Sequence, residues 1–239
     1  MKYAALSAGA ASLLRAQVRV PGPGGAPSGS SSIFLVANTF AQSVDGGNTA
    51  VTSAINTTGA TLLVVGVSML PATTTTVTDS KSNTWVLTNN ASNGVKTAQF
   101  YATSVSVGTG HTFTATNTTP GFPAIFVAAF ATTNTSAPLD QHTANSPNGT
   151  TTVQPGSITP GSNNELVVTS VCFNGTSGNT LSIDSGFTIT NQAQGIGGQS
   201  YGGGLAYIVQ GGALAVNPTW TLSPSSIGLN ATIASYLHS

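Results

Sequence analysis

The chain has 239 residues, of which 39% are apolar and only 4% charged, with five basic residues balancing five acidic ones. Ordinary soluble domains carry about 25% charge, and disordered chains pair low hydrophobicity with high net charge. This composition therefore excludes a disordered polyelectrolyte and describes a folded body with a neutral Thr, Ser, Asn and Gly surface. The charges are unevenly placed: residues 1–29 hold Lys2, Arg15 and Arg19 and no acid, whereas the rest holds Lys81 and Lys96 against Asp45, Asp79, Asp140, Glu165 and Asp184. A body without clustered cations argues against nucleic-acid binding, which needs them to neutralise phosphate.

In chain order, residues 1–20 read as a short basic arm. Their apolar stretch is broken by Ser7, Gly9 and Ser12 and followed by Arg15, a poor fit to a signal peptide. No apolar run approaches the roughly 18 residues of a membrane-spanning helix. Residues 21–32, rich in Pro, Gly and Ser, read as a linker. The expected organisation is an anchoring arm with Lys2, Arg15 and Arg19 as partner-binding residues, a linker, and one β domain over residues 33–239.

Beyond the linker the pattern has period two. His111, Phe113 and Ala115 alternate with Thr112, Thr114 and Thr116, and Trp220 and Leu222 alternate with Thr219, Thr221 and Ser223. Successive side chains of a strand point to opposite faces, so these strands have one apolar and one hydroxyl face. Residues 61–70, 124–130 and 166–173 are apolar on both faces and predict central strands covered on both sides. Shorter strands are expected at 33–40, 50–55, 75–78, 85–88, 98–105, 187–193, 205–209 and 229–236, about a dozen in all with Gly, Pro, Asn and Ser turns between them. The fold class expected is all-β, an antiparallel β-sandwich or jelly-roll-like domain.

Several segments occur in a characteristic order. They are the apolar strand Thr61 to Val67, then Val77-Thr78-Asp79-Ser80-Lys81-Ser82-Asn83-Thr84-Trp85, Phe100-Tyr101-Ala102, and Pro138-Leu139-Asp140. Asn164 to Val168, Ser185 to Thr188 and the closing run Ala231 to Tyr236 follow. In this the chain resembles a family of β-sandwich domains found in secreted bacterial proteins and in phage structural proteins. The second segment is similar to the family's V-x-D-S-x-G-N-T hairpin, with Ser82 in the glycine position. The resemblance implies a β-sandwich over about 33–237 and brings no catalytic residue with it.

Chemistry-bearing residues are sparse. Cys172 is alone, so no intrachain disulfide can form, and its apolar surroundings predict a buried small side chain. The turn Asp79 to Asn83 holds one carboxylate among hydroxyls, a thin set for calcium. Asp140 and His142, two apart, would share a strand face, and His111 is expected to pack within its strand. No two histidines have the spacing of a metal pair. The glycine-rich run 195–204 lacks the lysine of a phosphate loop and reads as a loop or a close-approach surface for a neighbouring subunit. Seven Asn-x-Ser/Thr triplets begin at Asn56, Asn90, Asn117, Asn134, Asn148, Asn174 and Asn230.

These features point to a non-enzymatic virion surface protein, a bacteriophage capsid decoration or fibre-type module without a cofactor. Its expected partners are other structural proteins or copies of itself, in a homo-oligomer or a lattice. The alternative is a secreted bacterial surface or filament-forming domain that binds glycans by stacking on Trp85 or Trp220.

Overall fold

A computed structural model describes residues 32–44, 46–149, 151–175, 177–196 and 201–239. The arm, nearly all of the linker and Asp45 lie outside these residues, and with them Lys2, Arg15 and Arg19. The described residues form sixteen strands and no helix. The first eight are β1 (Phe34–Gln42), β2 (Thr49–Val51), β3 (Leu62–Met69), β4 (Thr75–Asp79), β5 (Val86–Asn93), β6 (Val95–Thr103), β7 (Phe113–Asn117) and β8 (Ala124–Ala131). The second eight are β9 (Leu139–Gly149), β10 (Thr152–Val153), β11 (Glu165–Asn174), β12 (Thr180–Ile183), β13 (Thr188–Ala193), β14 (Gly202–Gln210), β15 (Trp220–Ser223) and β16 (Ile227–Tyr236).

Strands β1 to β8 build a five-stranded sheet, β1-β8-β3-β6-β5, and a three-stranded sheet, β2-β7-β4. Strands β9 to β16 build β9-β16-β11-β14-β13 and β10-β15-β12. Adding eight to every strand number of the first half reproduces the second. The sequence leaves open whether the β body over 33–239 is one sandwich or two; it is two sandwiches of one topology, packed within a single compact unit, Ser31–Ser239.

The layers run three, five, five, three strands. In the first half Leu63, Val65, Val67 and Met69 of β3 pack with Phe113 and Ala115 of β7 beneath the small sheet. In the second, Val167, Val171 and Phe173 of β11 pack with Trp220 and Leu222 of β15. The opposite faces of the two large sheets meet, with Leu62, Val64, Phe126 and Phe130 against Leu166, Val168, Leu205 and Tyr236. Strands β3, β8 and β11 therefore lie between two apolar layers, which is why their sequences do not alternate. Full burial of each Leu, Val or Phe contributes about 1.5–3 kcal/mol.

The halves meet about a pseudo-twofold axis. Gly66 and Ser170 hold the same register position, opposite Phe126 and Gln99 in one half and opposite Thr232 and Leu205 in the other. They touch each other: a Cβ built on Gly66 would lie 2.8 Å from the Cβ of Ser170, so only glycine allows this approach. Tyr101 packs on Tyr236 with centroids 5.7 Å apart, and its counterpart Tyr207 packs on Phe130 at 5.1 Å. Both β5 and β13 carry a bulge, before Asn89 and Asn191 respectively. Asn89 donates to the Ile233 carbonyl and Asn191 to the Val127 carbonyl, each at 3.2 Å. Residues that trade roles across the contact are the mark of an isologous interface, here formed within one chain.

Three strands, β9, β10 and β12, were not foreseen. The sequence of β9, Leu-Asp-Gln-His-Thr-Ala-Asn-Ser-Pro-Asn-Gly, has no alternation. It is an edge strand, held to β16 by backbone pairing and to β5 by side-chain bonds such as Asn89 to the Thr143 carbonyl at 2.7 Å.

Candidate functional site

The nearest approach to a catalytic constellation lies at one end of the first half. Asp79 closes β4, and Trp85 leads into β5. His111, just before β7, is backbone-bonded to Ile55. Thr57 Oγ1 lies 2.8 Å from His111 Nδ1, and His111 Nε2 lies 3.0 Å from Asp79 Oδ1. The order Thr–His–Asp matches that of a hydrolase triad, but the arrangement is sealed. The side chains of His111 and Asp79 are wholly inaccessible, and Thr57 is fully buried. The Thr57 hydroxyl also engages the Gly108 backbone, so it faces no space where a substrate could sit.

The Asp79 carboxylate is the hub of this knot. Oδ1 accepts from the Lys81 amide at 2.8 Å and from Asn83 Nδ2 at 3.1 Å, and Oδ2 accepts from Trp85 Nε1 at 2.8 Å. Burial by itself would raise its pKa. The bonds from Lys81, His111, Trp85 and Asn83 outweigh that cost and hold it below the ordinary value. The same bonds fix the turn as one in which an aspartate bonds the backbone two residues on, with Ser82 at a left-handed φ of 60°. The knot is the physical content of the Asp-Ser-Lys-Ser-Asn motif.

A second polar cluster sits at the start of β9 and β11. Asp140 Oδ2 accepts from the Gly161 amide at 2.8 Å and from the Ser235 hydroxyl at 3.3 Å, while Glu165 Oε1 accepts from the Ser162 amide at 2.6 Å. Glu165 is fully buried and its Oε2 has no hydrogen-bond partner. Desolvation first, and the neighbouring Asp140 charge second, raise its pKa.

Asp140 and His142 do not share a face, which corrects the expectation from their spacing. A register shift in the β9–β16 pairing leaves His142 opposite Ala234, which points to the central interface, while Asp140 bonds Ser235 on the other side. Trp220 is also corrected as a glycan-stacking residue. It is fully buried, and its Nε1 donates to Thr169 Oγ1 at 3.0 Å, so no sugar can reach it. Trp85 is half-buried, edge-on to Phe113, with its N–H committed to Asp79. Cys172 is buried, and desolvation raises its pKa well above the ordinary thiol value. Asn117 and Asn230 are buried as well, so their triplets are shielded in the folded chain.

Within the glycine-rich run, Gly202 and Gly203 belong to β14. A side chain on Gly203 would strike Ser68 of the other half, and one on Gly202 would strike the Phe173 ring. The close approach foreseen there is made inside the molecule.

The two small sheets turn a pair of outer faces to solvent. On the first small sheet Thr49, Thr116 and Thr76 stand in one cross-strand rank, and Val51, Thr114 and Thr78 in the next. On the second, Thr152, Thr221 and Ser182 form a rank, with Ser223 beside Thr180. Apart from the exposed Val51, both faces are hydroxyl ladders without charge. Sequence reading found the alternation that makes them but not their placement on opposite sides of the body. No family model, no curated protein and no solved structure matches the chain.

Proposed function

We propose that the chain is a non-enzymatic structural protein of a virion surface, a bacteriophage capsid decoration or fibre-type module. In this reading its N-terminal segment, with Lys2, Arg15 and Arg19, contacts the particle, and its β body faces outward. The observation that carries the reading is the contrast between site and surface. The one Thr–His–Asp arrangement in the described residues is sealed and fully bonded, while both outer sheets present uncharged threonine and serine ranks. Such faces hydrate without creating a field, and their short edge strands offer backbone groups to neighbouring copies. No helix among the described residues is long and apolar enough to cross a membrane.

The test is electron cryomicroscopy of particles from the source, with mass spectrometry of the same preparation. The expected result is density for the β body on the particle exterior, with residues 1–30 ordered against a capsid or tail protein. Recovery of the chain only from a cell envelope, with a processed N-terminus, would overturn the virion reading in favour of a secreted surface domain.

A further inference from the structure

The open side of the first sandwich, between the β4 edge and strands β5 and β6, holds a cavity of about 190 Å³. Met69, Leu87, Ala98 and Phe100 supply apolar walls, and Thr75 and Lys96 also line it. Alternation along β6 puts Lys96, which is half-buried, on the same face as Ala98 and Phe100. Its ammonium donates to the Thr73 carbonyl at 3.0 Å, and among the described residues no carboxylate pairs with it. The ammonium keeps two further N–H donors that an anion in the cleft could accept.

The pseudo-symmetry supplies a control. The same place in the second half is also a cleft, of about 230 Å³, lined by Phe173, Leu181, Gln192 and Gln194. Lys96 pairs with Met69 as Gly202 pairs with Phe173, so glycine holds the lysine's position there. The topology closes without a cation at this point, and the charge is a property of the first cleft alone.

We propose that the first cleft binds a small carboxylate with a compact apolar body, its anionic end on Lys96 and its body against Met69, Leu87 and Phe100. The volume suits a single ring, since dry apolar cavities of ~150 Å³ take up benzene. This inference is independent of the virion reading. A free particle component and a secreted domain would carry the same cleft.

Benzoate and its neutral isostere benzamide are the probes, titrated into the full chain with amide and methyl chemical shifts as the readout. Benzoate is expected to shift Met69, Leu87, Ala98 and Phe100, and to bind at least about tenfold more tightly than benzamide, a difference of ~1.4 kcal/mol. Lys96→Met keeps the aliphatic stem and removes the charge. It is expected to lose about tenfold in benzoate affinity while the spectrum of the rest of the chain stays unchanged. No shifts in the cleft, equal affinity for the two probes, or benzoate binding unaltered in Lys96→Met would each overturn the proposal. Lys96 would then be a stem covering apolar surface. The comparison of the two probes uses the unaltered protein and stands even if the variant fails to fold.

Discussion

The two halves solve one packing problem with different residues. Beneath its small sheet the first half places Phe113 against a β3 strand that carries Val65, and the second places Trp220 against a β11 strand that carries Thr169. The larger ring brings an N–H that must be satisfied, and the Val-to-Thr change supplies its acceptor. The halves also differ in charge. At the end of β4 the first half buries Asp79 with His111, while the corresponding register position of the second half, opposite Trp220, is Ile183. One topology therefore accepts a bonded carboxylate or an aliphatic side chain at the same place, provided that each half is locally self-consistent.

The sharpest test of this contrast is Asp79→Ala. Removing one partner of a buried, fully bonded group leaves His111, Trp85 and the Lys81 amide without their acceptor, at a cost of about 3–5 kcal/mol in urea unfolding. A substitution at Ile183 removes no such hub. The pH dependence follows from the lowered pKa of Asp79. Its contribution is present at neutral pH and is lost as pH falls below the ordinary value of 3.8, through its lower value in the fold. Asp79→Asn is expected to flatten the stability profile in that acidic range, and an unchanged profile would remove the knot as the origin of acid sensitivity.

Thr169→Val is the next largest effect. It leaves the buried Trp220 N–H unpaired and also removes the bond from Thr169 to the Thr232 carbonyl at 2.8 Å, for about 1–3 kcal/mol. Adding Trp220→Phe recreates the Phe–Val pair of the first half. The double variant is expected to be more stable than the sum of the singles by about 1 kcal/mol. Strict additivity would show that the two residues are not a matched pair.

The smallest effect separates the halves by sign. Burial and Asp140 raise the Glu165 pKa, so ionising Glu165 disfavours the fold, and stability falls as pH rises from the ordinary value of 4.5 to its higher folded value. Glu165→Gln is expected to raise the unfolding midpoint slightly at pH 7 and to leave it nearly unchanged at pH 4. Destabilisation at pH 7 would mean that the ionised carboxylate is needed by the loop at Gly161 and Ser162.

Most of the strand content was legible in the chain, because burial on one face or two writes period two or a continuous apolar run. The doubly covered strands β3, β8 and β11 were read directly from residues such as Leu62 to Val67 and Leu166 to Val168. The duplication was not legible. Only short matches survive, such as His111-Thr-Phe-Thr-Ala-Thr beside Pro218-Thr-Trp-Thr-Leu-Ser. The spacing between equivalents also drifts, from 102 residues for Asn89 and Asn191 to 107 for Phe113 and Trp220. Loop lengths alter the spacing freely, whereas register and handedness do not.

The Asp79 knot shows the same division. Its turn was visible in Asp79-Ser80-Lys81-Ser82-Asn83, but Thr57 and His111 come from other parts of the chain and only packing brings them to the carboxylate. The sequence by itself determined a sparsely charged all-β body with hydroxyl-rich outer faces, because alternation and composition are local properties. Which faces meet at Gly66 and Ser170, which tryptophan is sealed, and which lysine lines a cavity were decided by the tertiary structure. Those outcomes depend on contacts between residues far apart in the chain, and no local pattern encodes them.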